Sequence, residues 1–339
     1  MNEAGVCMKK ILNDAHQFVD ESLDGILLAH SDVLHRVEGD PRAIVRQDAP
    51  VQGKVAIATG GGYGHLPTFL GYVGQGLVDG ACVGNVFSSP SADAMLAVTR
   101  AIDGGSGVLY LYGNYFGDSM NFDLAAEMAA DEGIQVETVR VADDVASASL
   151  AERQKRRGVA GIFYGYKIAG ACADTGASLA EVKETTELAL NNVRTMGMGF
   201  SPCTIPASGK PTFDIAEDEI EIGIGIHGEP GIARQKTGTA KELVAQLLTP
   251  LVEELELSAE DEVSVLVNGM GSTPLEELYI AYREVHQWLF DKKIHVDRPF
   301  VGAYATSLEM AGFSLSIFKL NDSFKKYLHA PARTPFVKL

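Results

Sequence analysis

The chain of 339 residues carries 28 Lys and Arg against 45 Asp and Glu, a formal net charge of −17, with 46% hydrophobic and 22% charged residues. That length argues for two domains around a sizeable core, and the acidic balance excludes a nucleic-acid partner, because phosphate backbones are held by clustered Lys and Arg. No run approaches the roughly 18 uninterrupted apolar residues of a membrane helix, and Met1-Asn2-Glu3-Ala4 lacks the basic and apolar regions of a signal peptide, so the expectation is a cytoplasmic, metabolite-handling protein.

Met8-Lys9-Lys10-Ile11-Leu12 reads as a natural beginning, which makes residues 1–7 an extension, and Phe18, Leu23, Ile26 and Leu27 read as core. Val55–Thr59, Val108–Tyr112 and Val136–Val141 are apolar runs of strand length, bounded by glycine or charge. Between them Ser91–Ile102 and Met120–Asp131 predict helices, the second closed by Gly133. This alternation predicts an α/β domain with a largely parallel sheet, whose ligands bind beyond the carboxyl ends of the strands. Gly60–Pro67 and Gly113–Asn121 follow two of those strands and fall at that edge.

Three capping boxes predict helix starts: Ser178 with Glu181, Thr239 with Glu242, and Thr273 with Glu276. The helix from Ser178 is predicted to run to about Arg194, and Met196-Gly197-Met198-Gly199 to mark a boundary between residues 1–195 and 196–339. Strand-like runs at Glu219–Ile226, Val263–Val267 and Phe313–Leu320 make the second half α/β as well. The expected fold is two α/β domains, each a mixed or parallel sheet flanked by helices. Cys7, Cys82, Cys172 and Cys203 are scattered, which suggests neither a disulfide framework nor a zinc site.

Three segments carry possible chemistry. In Thr59-Gly60-Gly61-Gly62-Tyr63-Gly64-His65-Leu66-Pro67 the glycines let backbone N–H groups approach an anion or a small polar ligand, although the segment fits neither a P-loop nor G-x-G-x-x-G. A tight structural turn with a solvent-facing His65 is the alternative. In Gly113-Asn114-Tyr115-Phe116-Gly117-Asp118-Ser119-Met120-Asn121 the carboxylate suits a general base, or else Asp118 or Ser119 caps the helix near Met120. Gly223-Ile224-Gly225-Ile226-His227-Gly228-Glu229-Pro230-Gly231 matches G-x-G-x-x-G weakly, with no βαβ unit around it. His227 ends an apolar run, where a neutral imidazole attacks a carbonyl or shuttles a proton, or is a hydrogen-bonded core histidine. The basic run Arg153, Lys155, Arg156 and Arg157 and the acidic cluster Glu253, Glu254 and Glu256 read as solvated faces.

Those motifs, with Lys210-Pro211-Thr212-Phe213 and Ser307-Leu308-Glu309-Met310-Ala311-Gly312-Phe313-Ser314-Leu315, resemble the ketose-binding K-type subunit of dihydroxyacetone kinases from about Met8 to the end. The resemblance implies two α/β domains and a homodimer. It implies that His227 holds the ketone as a hemiaminal, that His65 assists and orients the substrate, and that Asp118 accepts the proton of the hydroxyl being phosphorylated. Gly62, Tyr63, Gly64 and Gly113 would line the sugar. A separate L-type subunit would carry ATP, or ADP recharged from phosphoenolpyruvate, together with Mg, leaving no metal or nucleotide on this chain. Tyr63 and Leu66 stand where the family usually has Ser and Glu, and Gly113 where it often has Lys, so the expected substrate is dihydroxyacetone or a related ketose of three to five carbons. A non-catalytic ketose-binding or regulatory protein is the alternative, and a dehydrogenase built on Gly223–Gly228 is a third reading.

Overall fold

The computed structural model describes residues 9–339; Cys7 and the extension over residues 1–7 lie outside the described residues. The first element, α1 (Phe18–Ala29), buries Leu23, with Phe18, Ile26 and Leu27 packed on the same core. The first sheet contains β1 (Leu34–Arg36), β2 (Ala43–Arg46), β3 (Ala56–Tyr63), β4 (Gly80–Val86), β5 (Val108–Gly113) and β6 (Val136–Val141), in the order β1-β2-β4-β3-β5-β6. β4, β3, β5 and β6 are parallel, and β1 and β2 add an antiparallel edge. Side chains alternate with the strand period of two. Ala56, Ala58, Tyr110 and Tyr112 pack with α2 (Ala92–Ile102) and α3 (Phe116–Asp131), whereas Ile57, Leu109 and Leu111 pack with α4 (Ile162–Ala173) and α5 (Leu179–Leu190).

The second sheet begins with β7 (Val193–Ser201), followed by a small ribbon of β8 (Thr204–Ile205) and β9 (Lys210–Pro211). It continues with β10 (Glu219–Ile222), β11 (Ala233–Lys236), β12 (Glu262–Gly269), β13 (His295–Gly302) and β14 (Ala311–Lys319), in the order β11-β10-β7-β14-β12-β13. Only β12 and β13 pair in parallel. α6 (Ala240–Glu254) and α7 (Leu275–Asp291) cover one face, with Leu247, Leu251 and Val285 against Val263, Val265 and Ile317. The other face meets α4, where the Phe163 and Phe300 rings lie 4.8 Å apart. Then α8 (Asp322–His329) returns to α4, and the Lys167 ammonium donates to the Tyr327 carbonyl at 2.7 Å. Every residue of α4 is buried, as a helix apolar on all sides requires. The two sheets therefore share one central helix.

Several expectations change. The helix from Ser178 stops at Leu190, not Arg194, because Val193 is buried by pairing with β14 rather than on a helix face. Consequently β7 runs through the 195/196 position, Met196–Gly199 is central strand, and the chain passes between sheets at Asn191-Asn192. The Ser178 and Thr239 capping boxes form. The third does not: Thr273 Oγ1 donates to the Gly312 carbonyl and accepts from the Gly312 N–H, and the helix starts after Pro274.

The two charged runs are mostly solvated, as expected, but one residue of each leaves the water to meet the other. Arg156, 1% exposed, is bidentate to Glu254 at 2.7 Å, and Arg194 Nε donates to the same carboxylate at 3.0 Å. Of the two runs, Arg153, Lys155, Glu253 and Glu256 remain exposed. Removing the carboxylate strands two guanidinium groups in a low dielectric. Glu254→Ala is expected to cost about 3 kcal/mol, read as a lowered urea midpoint with unchanged slope.

Candidate active site

Site residues gather where the carboxyl ends of β3, β4 and β5 face a loop from the second sheet. The glycine run is not a loop open to a ligand: Gly60 to Gly62 lie within β3, and each is small because a neighbour occupies the space. A Cβ at Gly60 would sit 2.3 Å from Cys82 Sγ, at Gly61 2.3 Å from the Phe69 ring, and at Gly62 2.6 Å from the Ser88 nitrogen. Gly64 does need its freedom, at φ 109°. It turns the chain so that Tyr63 and His65 part company. The Tyr63 hydroxyl bonds to Ser22 on α1 and its ring packs on Phe18, so the phenol is committed to α1. Gly113 closes β5 beside the Tyr115 ring, 3.1 Å from where a Cβ would stand.

His65 is 1% exposed, which overturns the solvent-facing alternative. Its Nδ1 lies 2.7 Å from the Thr306 carbonyl. A carbonyl only accepts, so Nδ1 carries the proton and Nε2 bears the lone pair. That Nε2 is buried without a partner. Burial, and then the neighbouring His227, push the pKa down to about 3, which keeps the ring neutral.

Asp118 is neither a strand end nor a cap. α3 begins at Phe116, earlier than the expected Met120, and Asp118 sits in its first turn with 6% exposure. Burial raises its pKa to about 6, against the opposing pull of a Ser89 hydrogen bond and the His227 charge. One carboxylate oxygen, Oδ1, is buried without a partner.

His227 is likewise off the strand: β10 ends at Ile222, and the residue stands in the loop leading to β11. No helix follows Gly228, so the loop lacks the helix N-terminus on which a dinucleotide pyrophosphate rests. Glu229, which sequence reasoning passed over, grips the histidine twice. Its Oε1 lies 2.9 Å from Nδ1, and its Oε2 accepts the His227 backbone N–H at 2.9 Å. A carboxylate accepts, so Nδ1 carries the proton and Nε2 is left free to attack. Burial alone would raise Glu229, but the His227 contact and the Arg157 charge outweigh it and hold the carboxyl at about 2.

The histidine rings stand 4.8 Å apart, edge to face. Phe87 stacks on His65 at 4.9 Å, and Tyr115 lies edge-on to His227 at 4.8 Å. Tyr115 belongs to the same segment as Asp118. Phe87 announces itself in no sequence pattern, although its positive φ of 56° marks it in the structure. The result is an aromatic-lined site that brings together a histidine nitrogen left with its lone pair, a second, neutral and buried hydrogen-bond acceptor, and a buried carboxylate.

The Dak1 domain family matches residues 24–336. The dihydroxyacetone-binding subunit of a phosphotransferase-system-dependent dihydroxyacetone kinase (kinase 2) from Listeria innocua is 45% identical, over 98% of this chain and 100% of its own. A D-erythrulose kinase of Mycolicibacterium smegmatis is 42% identical over 98% of this chain and 57% of its own length. The crystal structure of the dihydroxyacetone kinase of C. freundii superposes with a TM-score of 0.86 at 33% identity, covering 96% of this chain and 59% of that one. By sequence and by fold, the chain belongs to the Dak1 family as a K-type subunit of the dihydroxyacetone kinases.

Proposed function

We propose that the chain is the ketose-binding subunit of a phosphotransferase acting on an alcohol group, with dihydroxyacetone or a related ketose of three to five carbons as substrate. Relatives named for dihydroxyacetone and for erythrulose support that range. His227 Nε2 forms a bond to the ketone carbon, and the carbonyl π pair moves onto oxygen, which takes up a proton from a solvent water, the hydroxide passing to bulk solvent. The substituted ring keeps its Nδ1 proton against Glu229, whose negative charge balances the imidazolium. His65 Nε2 accepts a hydrogen bond from a substrate hydroxyl and orients it. Asp118 then removes the proton of the terminal hydroxyl as that oxygen attacks the phosphoryl group. Phosphoryl transfer demands positioning and a base, and a covalent tether makes the encounter effectively unimolecular.

The observation that carries this reading is that His65 Nε2 and Asp118 Oδ1, both buried and unpartnered, surround a histidine whose tautomer is already fixed for attack. A binder needs the histidine but gains nothing from a desolvated carboxylate, so the enzyme is favoured over the regulatory alternative. An L-type subunit supplies the nucleotide and Mg, the donor being ATP or ADP recharged from phosphoenolpyruvate, and the K-type chain works as a homodimer. Tyr63, turned to α1, leaves the pocket width to Gly113 and Tyr115. With the L-type partner and ATP, turnover is expected on dihydroxyacetone and erythrulose and absent on glycerol, which has no carbonyl to trap. Equal turnover of glycerol would contradict the reading.

A further inference from the structure

Behind Glu229 lies a second charged group that the reaction as described does not use. Arg157 precedes α4, on the first-sheet side of the molecule, and its side chain is 14% exposed. Its Nε donates to Asp144 Oδ2 at 2.9 Å, and one terminal nitrogen donates to the Gly223 carbonyl at 3.1 Å, where the His227 loop leaves β10. The other terminal nitrogen stands 3.9 Å from Glu229 Oε2. One planar guanidinium thus ties together the loop after β6, the start of the His227 loop and the carboxylate that grips His227. A Cβ at Gly225 would fall 2.5 Å from Arg157 and 2.1 Å from Glu229 Oε2, so that glycine is small because the pair passes beside it.

We propose that Arg157 is a positioning residue for the ketone-trapping histidine: pinned by Asp144, it keeps the Glu229 carboxylate aimed at His227 Nδ1, so that Nε2 keeps its lone pair for the substrate. This rests on the function proposed above for His227. Three further groups act on the same region. The Tyr115 phenol, buried without a partner, feels Glu229, Arg157, Asp144 and Asp143. Asp144 is itself raised to about 6, by burial first, with Arg157 opposing and Asp143 adding to the rise. Asp143 is satisfied by the Val159 and Gly161 N–H groups at 2.8 Å. Within this acidic surround Arg157 is the cation nearest Glu229. A lysine could supply the charge but not a planar fork whose separate nitrogens reach three groups at once.

The test uses the full chain, dihydroxyacetone as probe and two readouts. Intact-mass spectrometry follows the rate of adduct formation, and nitrogen NMR of labelled histidine reports the His227 tautomer. Arg157→Met, checked for folding by circular dichroism, is expected to slow adduct formation by about tenfold or more, the scale seen when an outer partner of a functional histidine is lost. It is also expected to move the ring away from the Nδ1–H form. Added to Glu229→Gln it should do no further harm, because both act through one contact. An unchanged rate, a lost adduct with the tautomer intact, or additive effects would each overturn the proposal. Should the Met variant misfold, Arg157→Lys carries the test, with the same shift expected to a smaller extent and no shift overturning it. If the wild-type chain forms no adduct with any ketose, the functional reading fails first, so the two failures are distinguishable.

Discussion

Asp118→Asn is expected to lower turnover by roughly 10²–10⁴-fold while the ketose still adds to His227. The amide keeps the shape and the partner at Ser89 but cannot accept the hydroxyl proton. The same carboxylate sets the pH profile. With its pKa raised to about 6, the base is protonated and idle below that pH, so turnover falls roughly tenfold per unit on the acid side. Stability moves the other way. Burial makes the folded state hold the proton more tightly than the unfolded chain, so this group's contribution is full below the ordinary aspartate value of 3.8 and is lost as pH rises through about 6. At neutral pH the ionised carboxylate therefore costs on the order of 2–3 kcal/mol, and Asp118→Asn is expected to raise the melting temperature even as it removes activity. Steady-state assays with the L-type partner, together with a thermal melt, check both halves. A variant that lost turnover and melted lower would point to a structural carboxylate.

The second large effect belongs to His227. His227→Ala is expected to abolish the covalent adduct and to reduce ketose phosphorylation by several orders of magnitude, since the tether supplies the effective concentration that aligns the hydroxyl. Discrimination should collapse with it. Once the nucleophile is gone, dihydroxyacetone and glycerol present the same terminal hydroxyls, and their residual rates should converge. Assays of both substrates on wild type and variant read this directly, and a variant still strongly preferring the ketone would assign the selectivity to another group. Glu229 adds a finer expectation: its carboxylate grips the ring without touching substrate, so its loss slows trapping rather than removing the nucleophile.

What could be read in advance depended on range along the chain. The strands β3, β5 and β6 and the helix α2 declare themselves through local periodicity, capping hydroxyls and bounding glycines, and the motifs carrying His65, Asp118 and His227 are contiguous. The buried identity of α4 is not local: its apolar character on all sides becomes intelligible only when the second sheet closes over it. Val193 suits a helix face or a strand equally well, and pairing with β14 decides. Arg156 and Glu254 stand 98 residues apart, so neither run alone reveals the ion pair. Within the site, the left-handed backbone at Gly64 turns Tyr63 to α1 and His65 into the pocket, and nothing in the local pattern announces that divergence. Glu229 was in plain sight beside His227, but a carboxylate two residues from a histidine acquires meaning only when the loop curls back to hydrogen-bond the ring.

The chain is expected to trap ketones covalently on one nitrogen, His227 Nε2. Intact-mass analysis of the wild-type protein with dihydroxyacetone, erythrulose and glycerol, followed by peptide mapping, tests it most directly. The account predicts a gain of one whole substrate mass, without loss of water, for each ketose, mapped to the peptide bearing His227 and absent with glycerol. An adduct located on another residue, or turnover of ketoses with no adduct at all, would contradict it.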